Sequence, residues 1–461
     1  MLGGSGAWQV VKAGVQKELG IDCVIMGEAE EDVIRLFKKA LNGGVLPKQV
    51  VCSKPELENI PCIKKASLFG VVEVTRGCGR GCQFCSPTLR QRYSFPLARI
   101  MKEVDLNARS GTRIITLQTD DVFLYKANPD FTPNEDALFE LVDSIARVEG
   151  VQYIQVAHAA LTHVVCNHRI VEKIAPTLVE KSRWTYLNNQ RYATFETGIE
   201  TGSVRLIEKY MRGKTLPYKP EQWPDIVVQG LGILNDNQIY PLATLITGLP
   251  TENEKDITAT LELLDRLKST KVFFVPLLFT SEEDCVLNSE RHADLDGLSE
   301  LHWDVFPTCW RHNVKTWRGK GFQSLIRIGG LLAYLAYYRW LHGPRVLRHV
   351  LKVSGWAWRI LKNQGSKPMF LSALSTILAV STSPTSMQGT PLSLAKSAVT
   401  WSCVTITRLF LEAYSTIAAS SAPFRPSSST DWASHPSIFR KGFKPEYISS
   451  KSSFAFFMNH I

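Results

Sequence analysis

The sequence lacks an uncharged apolar run of about 18 residues, the length typical of a membrane-spanning helix. Its N-terminus also lacks the basic-then-apolar order of a secretory signal. Only 10 cysteines occur in 461 residues, which excludes a small disulfide-stapled protein, and 44% hydrophobic residues exclude a wholly disordered chain. We therefore expect two or three domains in a cytoplasmic protein, either free or at the membrane surface.

Acidic residues are absent from one long segment. Between residues 305 and 411 the chain carries 14 Lys or Arg and no Asp or Glu, so this segment accounts for the net charge of +10. Aromatic residues, tryptophan above all, are interleaved with the basic ones. Such a segment predicts an anionic partner.

Short β-branched or aromatic runs alternate with longer amphipathic segments between residues 69 and 279. This alternation predicts βα units around a parallel sheet. Because only six units can be found, the sequence predicts an α/β fold with a partial (β/α)6 barrel instead of a closed eight-unit barrel. The predicted strands are 69–75, 113–118, 151–157, 192–200, 239–247 and 271–279. The helix predicted over 135–148 should pack on the sheet through Leu138, Leu141, Val142 and Ile145.

The regions flanking the barrel differ from it in composition. A buried-type strand at 21–26 and an amphipathic helix at 30–41 predict the remnant of a Rossmann-like α/β domain. That helix carries Val33, Ile34, Phe37 and Leu41 on one stripe. The predicted domains are this remnant (1–60), the barrel (65–290), a basic aromatic helical extension (291–365) and a poorly ordered Ser/Thr/Pro-rich tail (366–461).

Three cysteines, Cys78, Cys82 and Cys85, directly follow the first predicted strand. Barrel active sites are built at the carboxyl ends of strands. Glycines between the cysteines permit turns that aim three sulfurs at one soft-metal centre. Three thiolates leave one iron of a four-iron cluster open to a small molecule. The alternative is a zinc or purely structural site, which would need a fourth ligand that has no compact spacing here. The other cysteines are expected to be free thiols.

The spacing of these cysteines, with Phe84 directly before the third, resembles the radical S-adenosylmethionine (SAM) superfamily. The resemblance extends to motifs after later strands, at residues 118–121, 196–203, 211–215 and 246–252. It implies an enzyme in which a 4Fe–4S cluster, held by Cys78, Cys82 and Cys85, cleaves SAM reductively. The 5′-deoxyadenosyl radical formed would functionalise an unactivated carbon by methylation, cyclisation or coupling. Phe84 would lie against the adenine.

The resemblance also implies ligand contacts at strand ends. Asp120 or Asp121 would accept hydrogen bonds from the methionine ammonium group. Glu196 or Glu200 would meet the ribose or a polar group of the substrate. Backbone contact to the adenine is implied for Gly248, Leu249 and Pro250.

Each of these acidic residues also has a structural interpretation. Asp120 and Asp121 could form a helix N-cap region, and Glu196 and Glu200 could be ordinary charges at a strand rim. Other polar residues near the site are interpreted as structural: Ser203 and Thr201 as N-caps, and His158 as a structural histidine.

The N-terminal remnant resembles the last third of the cobalamin-binding domain found in one subgroup of the superfamily. The Asp-x-His-x-x-Gly signature of that domain, whose histidine can ligate cobalt, is absent from the chain. Cobalamin is therefore only an implied third cofactor. A reducing electron donor, such as ferredoxin or flavodoxin, is an implied partner.

The basic segment is compatible with more than one class of substrate. Residues 315–362 predict basic amphipathic helices at an anionic membrane surface, with a lipid or isoprenoid substrate. A tRNA substrate is the alternative, and nucleic acid fits the apolar run at 331–338 less well. The segment could also be a helical lobe packed on the barrel. A non-enzymatic alternative is an inactive electron-transfer protein that binds the cluster without cleaving SAM.

Overall fold

The computed structural model describes residues 1–317 apart from residues 5, 53, 87–90, 187–188, 283–284 and 295–296. The predicted tail and most of the predicted basic extension lie outside the described residues. None of the described helices is both long and apolar enough to cross a membrane.

The N-terminal region is a small α/β unit. Strands β1 (Val24–Met26) and β2 (Gln49–Val51) pair in parallel, and helices α1 (Ala7–Lys12) and α2 (Asp32–Leu41) accompany them. Its small core contains Cys23, Ile25, Leu36 and Cys52.

The apolar stripe predicted for α2 is only partly covered. Val33 packs against the small core, whereas Ile34, Phe37 and Leu41 are 54%, 52% and 84% exposed. The reason is the size of the sheet, because two three-residue strands present too little surface to cover a ten-residue helix.

The barrel contains six parallel strands in chain order, and every one lies inside a predicted range. They are β3 (Val71–Glu73), β6 (Ile114–Gln118), β7 (Tyr153–Val156), β8 (Glu196–Glu200), β9 (Leu242–Thr247) and β10 (Phe273–Leu278). A short antiparallel pair, β4 (Thr75–Arg76) and β5 (Tyr93–Ser94), lies between the first two.

Two three-stranded sheets make up this barrel, β3-β6-β7 and β8-β9-β10. A parallel bridge between His158 and Glu196 joins them, with the Ala159 amide donating to the Glu196 carbonyl at 3.0 Å. The predicted partial (β/α)6 barrel is confirmed.

Helices cover the outside of the sheet. Asn134 caps α4, and the four predicted apolar positions of this helix are all buried, as expected for a stripe packed on the sheet. The helices are α3 (Leu97–Arg109), α4 (Glu135–Ala146), α5 (Leu161–Cys166), α6 (His168–Glu180), α7 (Val204–Met211), α8 (Trp223–Asp236), α9 (Glu254–Arg266) and α10 (Glu300–Trp317).

Helix α10 is the described part of the predicted extension. It packs on the barrel through Val305 and Cys309. The Asn313 side-chain amide also pairs with the backbone of Phe274, at 2.8 and 2.9 Å. This beginning of the extension is therefore a helix seated on the last barrel strand.

Candidate functional site

The loop that carries the three cysteines begins at the end of β4 and returns at β5. Residues 77–85 are called the cysteine loop below. Gly77, Gly79 and Gly81 have φ values of 73°, 71° and 78°, in the left-handed region that favours glycine. Three such turns within five residues explain why the motif alternates glycine with other residues.

The cysteines of this loop supply the right ligand chemistry for an iron–sulfur cluster, because thiolates are the usual protein ligands of such clusters. Cys82 is buried, Cys78 and Cys85 are half-buried, and the Cys85 amide donates to the Cys82 carbonyl at 3.1 Å. Among the described residues, no three His, Cys, Asp or Glu side chains are arranged to hold a metal ion. The fit of the site to a cluster therefore rests on the donor set and not on sulfur positions.

The Cys78 thiol is strongly desolvated although part of the residue reaches the surface. Burial raises its pKa to about 12, against the opposing effect of the Arg80 charge. A ligating cysteine must lose its proton, so binding of a metal at Cys78 would release that proton.

The end of α7 and the turn that follows it hold the cysteine loop from one side. The backbone amide of Gln83 donates to the Tyr210 carbonyl at 2.8 Å, and the Gln83 side chain donates to the Lys209 carbonyl at 3.1 Å. One turn further on, Arg80 Nη1 donates to the Lys214 carbonyl at 2.8 Å. The predicted motif at 211–215 is thus in direct contact with the cysteine motif.

Asp121 holds the loop from the other side. Its Oδ2 accepts from Arg80 Nη2 at 2.8 Å and lies 2.8 Å from His163 Nδ1. Its Oδ1 accepts from the backbone amides of Phe123 and Ala160, both at 3.1 Å. Since the Asp121 side chain is only 1% exposed and all these partners belong to the protein, its contacts are those of a structural anchor.

Neighbouring groups and burial shift the pKa values of Asp121 and His163 in this network. Burial acts to raise the pKa of Asp121, but His163 and Arg80 outweigh it and hold the pKa well below its usual range. Burial lowers the pKa of His163, despite the opposing charge of Asp121. We therefore assign an ionised Asp121 paired with Arg80.

The predicted N-cap role of Asp121 is confirmed, because it caps the short helix Val122–Leu124. Its neighbour Asp120 is half-buried. The contact of either residue with a methionine ammonium group stays a prediction.

Glu200 ends β8 in an unusual conformation. Its φ of 63° is in the left-handed region, and a bulge between Gly198 and Glu200 shifts the register with β9. The side chain is 2% exposed and pairs with Lys214 Nζ at 3.2 Å. Glu200 is therefore a buried partner of Lys214 and not a solvated charge at the rim. Glu196, at the other end of β8, is half-buried.

Residues of the turn after β9 make contacts within the protein. The Gly248 amide donates to Glu252 Oε2 at 2.6 Å, and a Cβ on Gly248 would crowd Ala293. Leu249 is buried and Pro250 is half-buried. Phe84, the residue predicted to face the adenine, is also buried, with 5% exposure. Their contacts with a nucleoside stay predictions.

The three polar residues interpreted as structural all make contacts within the protein. Ser203 caps α7, accepting from the Leu206 amide, which confirms that prediction. Thr201 accepts from the Ser203 amide within the preceding turn and does not cap the helix itself. His158 contributes backbone contacts between the two sheets, and its carbonyl accepts from the Val122 amide at 3.0 Å.

Sequence reasoning missed Arg80, His163 and Lys214. Arg80 and Lys214 lie inside recognised motifs, but their spacing along the chain does not indicate that they meet. His163 belongs to no motif, so no signal could have identified it.

Comparison with known proteins agrees with this geometry. Residues 72–264 match the family described as the Radical SAM superfamily. Among the curated relatives, tRNA-2-methylthio-N(6)-dimethylallyladenosine synthase of Magnetococcus marinus is 25% identical over 236 residues, 50% of this chain and 49% of the relative. The probable threonylcarbamoyladenosine tRNA methylthiotransferase of Archaeoglobus fulgidus is 24% identical over 235 residues, 50% of each chain. The chain spans about half the length of these relatives.

Among solved structures, the radical SAM methyltransferase TsrM from Kitasatospora setae, with cobalamin and a 4Fe–4S cluster bound, is similar with a TM-score of 0.35. The identity is 14%, and the match covers 48% of this chain and 38% of that one.

A partial α/β barrel with a three-cysteine loop at its carboxyl edge is typical of proteins that bind an iron–sulfur cluster at that edge. The matched segment 72–264, which contains Cys78, Cys82 and Cys85, belongs to the radical SAM superfamily. Membership implies a 4Fe–4S cluster and SAM as cofactors.

Proposed function

We propose that the protein is a radical SAM enzyme that cleaves SAM reductively and functionalises an unactivated carbon of its substrate. The observation that supports this proposal is the three-cysteine loop at the carboxyl edge of the first barrel strand, inside the segment that matches the superfamily. Cys78, Cys82 and Cys85 would hold the cluster. When bound, the cluster would supply the electron that cleaves SAM to a 5′-deoxyadenosyl radical.

The residues around the loop orient and enclose the reactants. Arg80, fixed by Asp121 and by the Lys214 carbonyl, sets the path of the loop between two of its cysteines. Asp120, which is half-buried and directly follows Thr119 at the end of the second barrel strand, would bind the ammonium group of SAM. Glu200 and Lys214 form a buried ion pair at the next sheet, and a polar group of the nucleoside or substrate would bind next to this pair.

Two substrate classes are proposed. A tRNA nucleoside is favoured by the relatives, which are named for the modification of tRNA adenosines. A lipid or isoprenoid is favoured by residues 315–362, whose basic and aromatic composition suits an anionic membrane surface. In the second case the protein would bind membranes peripherally.

The decisive experiment is product analysis of the full-length protein. The protein is reconstituted anaerobically with iron and sulfide and is then incubated with reductant, labelled SAM and either bulk tRNA or a lipid extract. Mass spectrometry should find 5′-deoxyadenosine together with a labelled or modified product in one arm. A variant with Ala at Cys78, Cys82 and Cys85 serves as the control and should produce neither.

The outcomes separate the candidate functions. Iron binding without 5′-deoxyadenosine would support the electron-transfer alternative and contradict the enzyme. A product in the tRNA arm alone would exclude the lipid substrate. Membrane binding is tested separately, by flotation of the protein with anionic vesicles at low salt. Ferredoxin or flavodoxin should replace the chemical reductant. Added cobalamin tests whether the N-terminal unit binds that cofactor.

A further inference from the structure

Two arginines flank the cysteine loop, and both lie over one aromatic ring. The guanidinium carbon of Arg80 is 5.8 Å from the centre of the Phe131 ring, and that of Arg92 is 4.9 Å from it. Arg80 comes from inside the loop, and Arg92 comes from the segment that leads out of it into β5. Phe131 therefore fixes both guanidinium groups at the same side of the loop.

Each arginine keeps one buried N–H group without an acceptor. Arg80 Nε and Arg92 Nη1 have no hydrogen-bond partner among the described residues. The other contacts of both side chains are well defined, since Arg80 pairs with Asp121 and Arg92 Nη2 donates to the carbonyls of Ala127 and Asn128. A buried donor without an acceptor is costly, so an acceptor bound at the loop that these two arginines flank would stabilise both N–H groups.

The charges around the loop are unbalanced. Asp121 offsets the charge of Arg80, but Arg92 makes no ion pair with any residue the structure describes. Arg92 packs against the loop, because a Cβ on Gly79 would lie 3.9 Å from the Arg92 Cβ. Arg80 is itself in the loop, two residues after Cys78. Both positive charges therefore lie beside the first predicted cluster ligand.

We propose that Arg80 and Arg92 form a pair of positive charges beside Cys78 that eases one-electron reduction of the cluster. This inference rests on the proposed function, because it presupposes a cluster on Cys78, Cys82 and Cys85. Reduction adds one electron, taken from a low-potential donor, and so adds one negative charge to the cluster and its thiolates. Positive charges and hydrogen bonds to sulfur stabilise that added charge most in a partly buried site.

The inference concerns Arg92 most directly, because Arg92 can be changed without breaking the ion pair between Arg80 and Asp121. Arg92→Gln removes the charge but retains an amide donor toward the Ala127 and Asn128 carbonyls. Arg92→Lys retains the charge. Arg99→Met is the control for loss of an arginine that stacks on a ring, since Arg99 lies over Phe95 at 3.9 Å and also has a buried Nε without a hydrogen-bond partner among the described residues. Because Arg99 also pairs with Glu103 at 3.4 Å, the variants are compared at equal iron content.

The experiment is a potentiometric titration of the reconstituted full-length protein, followed by electron paramagnetic resonance. At a fixed potential, Arg92→Gln should lower the ratio of reduced to oxidised cluster about tenfold, equivalent to a shift of about 59 mV for one electron. Arg92→Lys should retain most of the wild-type ratio, and Arg99→Met should match the wild type.

Iron content distinguishes the ways in which this test can fail. A wild-type protein that binds no cluster contradicts the proposed function itself. An Arg92→Gln protein with full iron content and an unchanged potential overturns the inference alone. If Arg92→Gln loses the cluster, Arg92→Met replaces it as the neutral variant in the same titration, and an unchanged potential in Arg92→Met likewise overturns the inference.

Discussion

Gly213 lies directly against the backbone carbonyl of Arg80, so closely that a Cβ atom on Gly213 would overlap the carbonyl oxygen. The two residues are 133 positions apart in the sequence. The contact brings the turn after α7 onto the cysteine loop, and it continues into the hydrogen bond between Arg80 and the Lys214 carbonyl.

Replacing Gly213 by alanine should therefore displace the cysteine loop. We expect Gly213→Ala to lower the free energy of unfolding by about 2 kcal/mol, the usual scale for overpacking against a rigid neighbour, and to lower iron incorporation as well. Urea unfolding and iron analysis measure the two effects. Gly232→Ala is the control, because a Cβ there meets nothing within 4 Å and alanine favours a helix. An unchanged stability in Gly213→Ala would contradict the rigid contact.

The three cysteines should be individually required for the cluster. Cys78→Ser, Cys82→Ser and Cys85→Ser should each lose most of the iron and sulfide bound after reconstitution, because three thiolates are the fewest that hold such a cluster with one open iron. Cys62→Ser, which changes a half-buried cysteine outside the loop, should bind as much iron as the wild type. Full iron binding in any of the three loop variants would assign the ligands elsewhere.

Removal of the Asp121 charge should destabilise the fold strongly. Asp121→Asn leaves Arg80 buried without its counter-charge, and breaking a buried pair in this way typically costs about 3–5 kcal/mol. Denaturant unfolding measures the loss. In Asp225→Asn the partner Arg266 remains well exposed, so that variant should lose less than about 1 kcal/mol. Equal effects of the two variants would show that the Asp121 network does not anchor the loop.

Asp256 should contribute to the decline of stability in acid. Burial acts to raise its pKa, but hydrogen bonds from Arg205, Ser203 and the Asn253 amide outweigh this and lower it. Because the folded pKa lies below the unfolded value, this contribution is fully present above about pH 4 and is lost as the pH falls further. In Asp256→Asn the free energy of unfolding should change less steeply with pH below about pH 4.

The control for this titration is Asp265→Asn, which changes a carboxylate on the same helix that is 73% exposed. It should retain the wild-type slope. An Asp256→Asn protein with the same acid slope as the wild type would rule out the expected linkage.

Local patterns were sufficient to predict the barrel strands and the cysteine loop. Alternation of strand and helix periodicity depends on which face of each element is buried, and that information is present in every short window of sequence. For the same reason α4 was predicted with its buried face. The partial exposure of the α2 stripe was not predictable, because it depends on how much sheet is available to cover the helix.

Residues close together in the chain were enough to predict the strand segments, the three-thiol donor set and the glycines that shape the loop. The folded arrangement was needed to show that Asp121 is an anchor for Arg80, that Glu200 pairs with Lys214, and that Arg80 and Arg92 share the Phe131 ring. These relationships join residues between 12 and 51 positions apart along the chain. Their contacts and charges depend on burial and distance, which exist only once the barrel has brought the strand ends together.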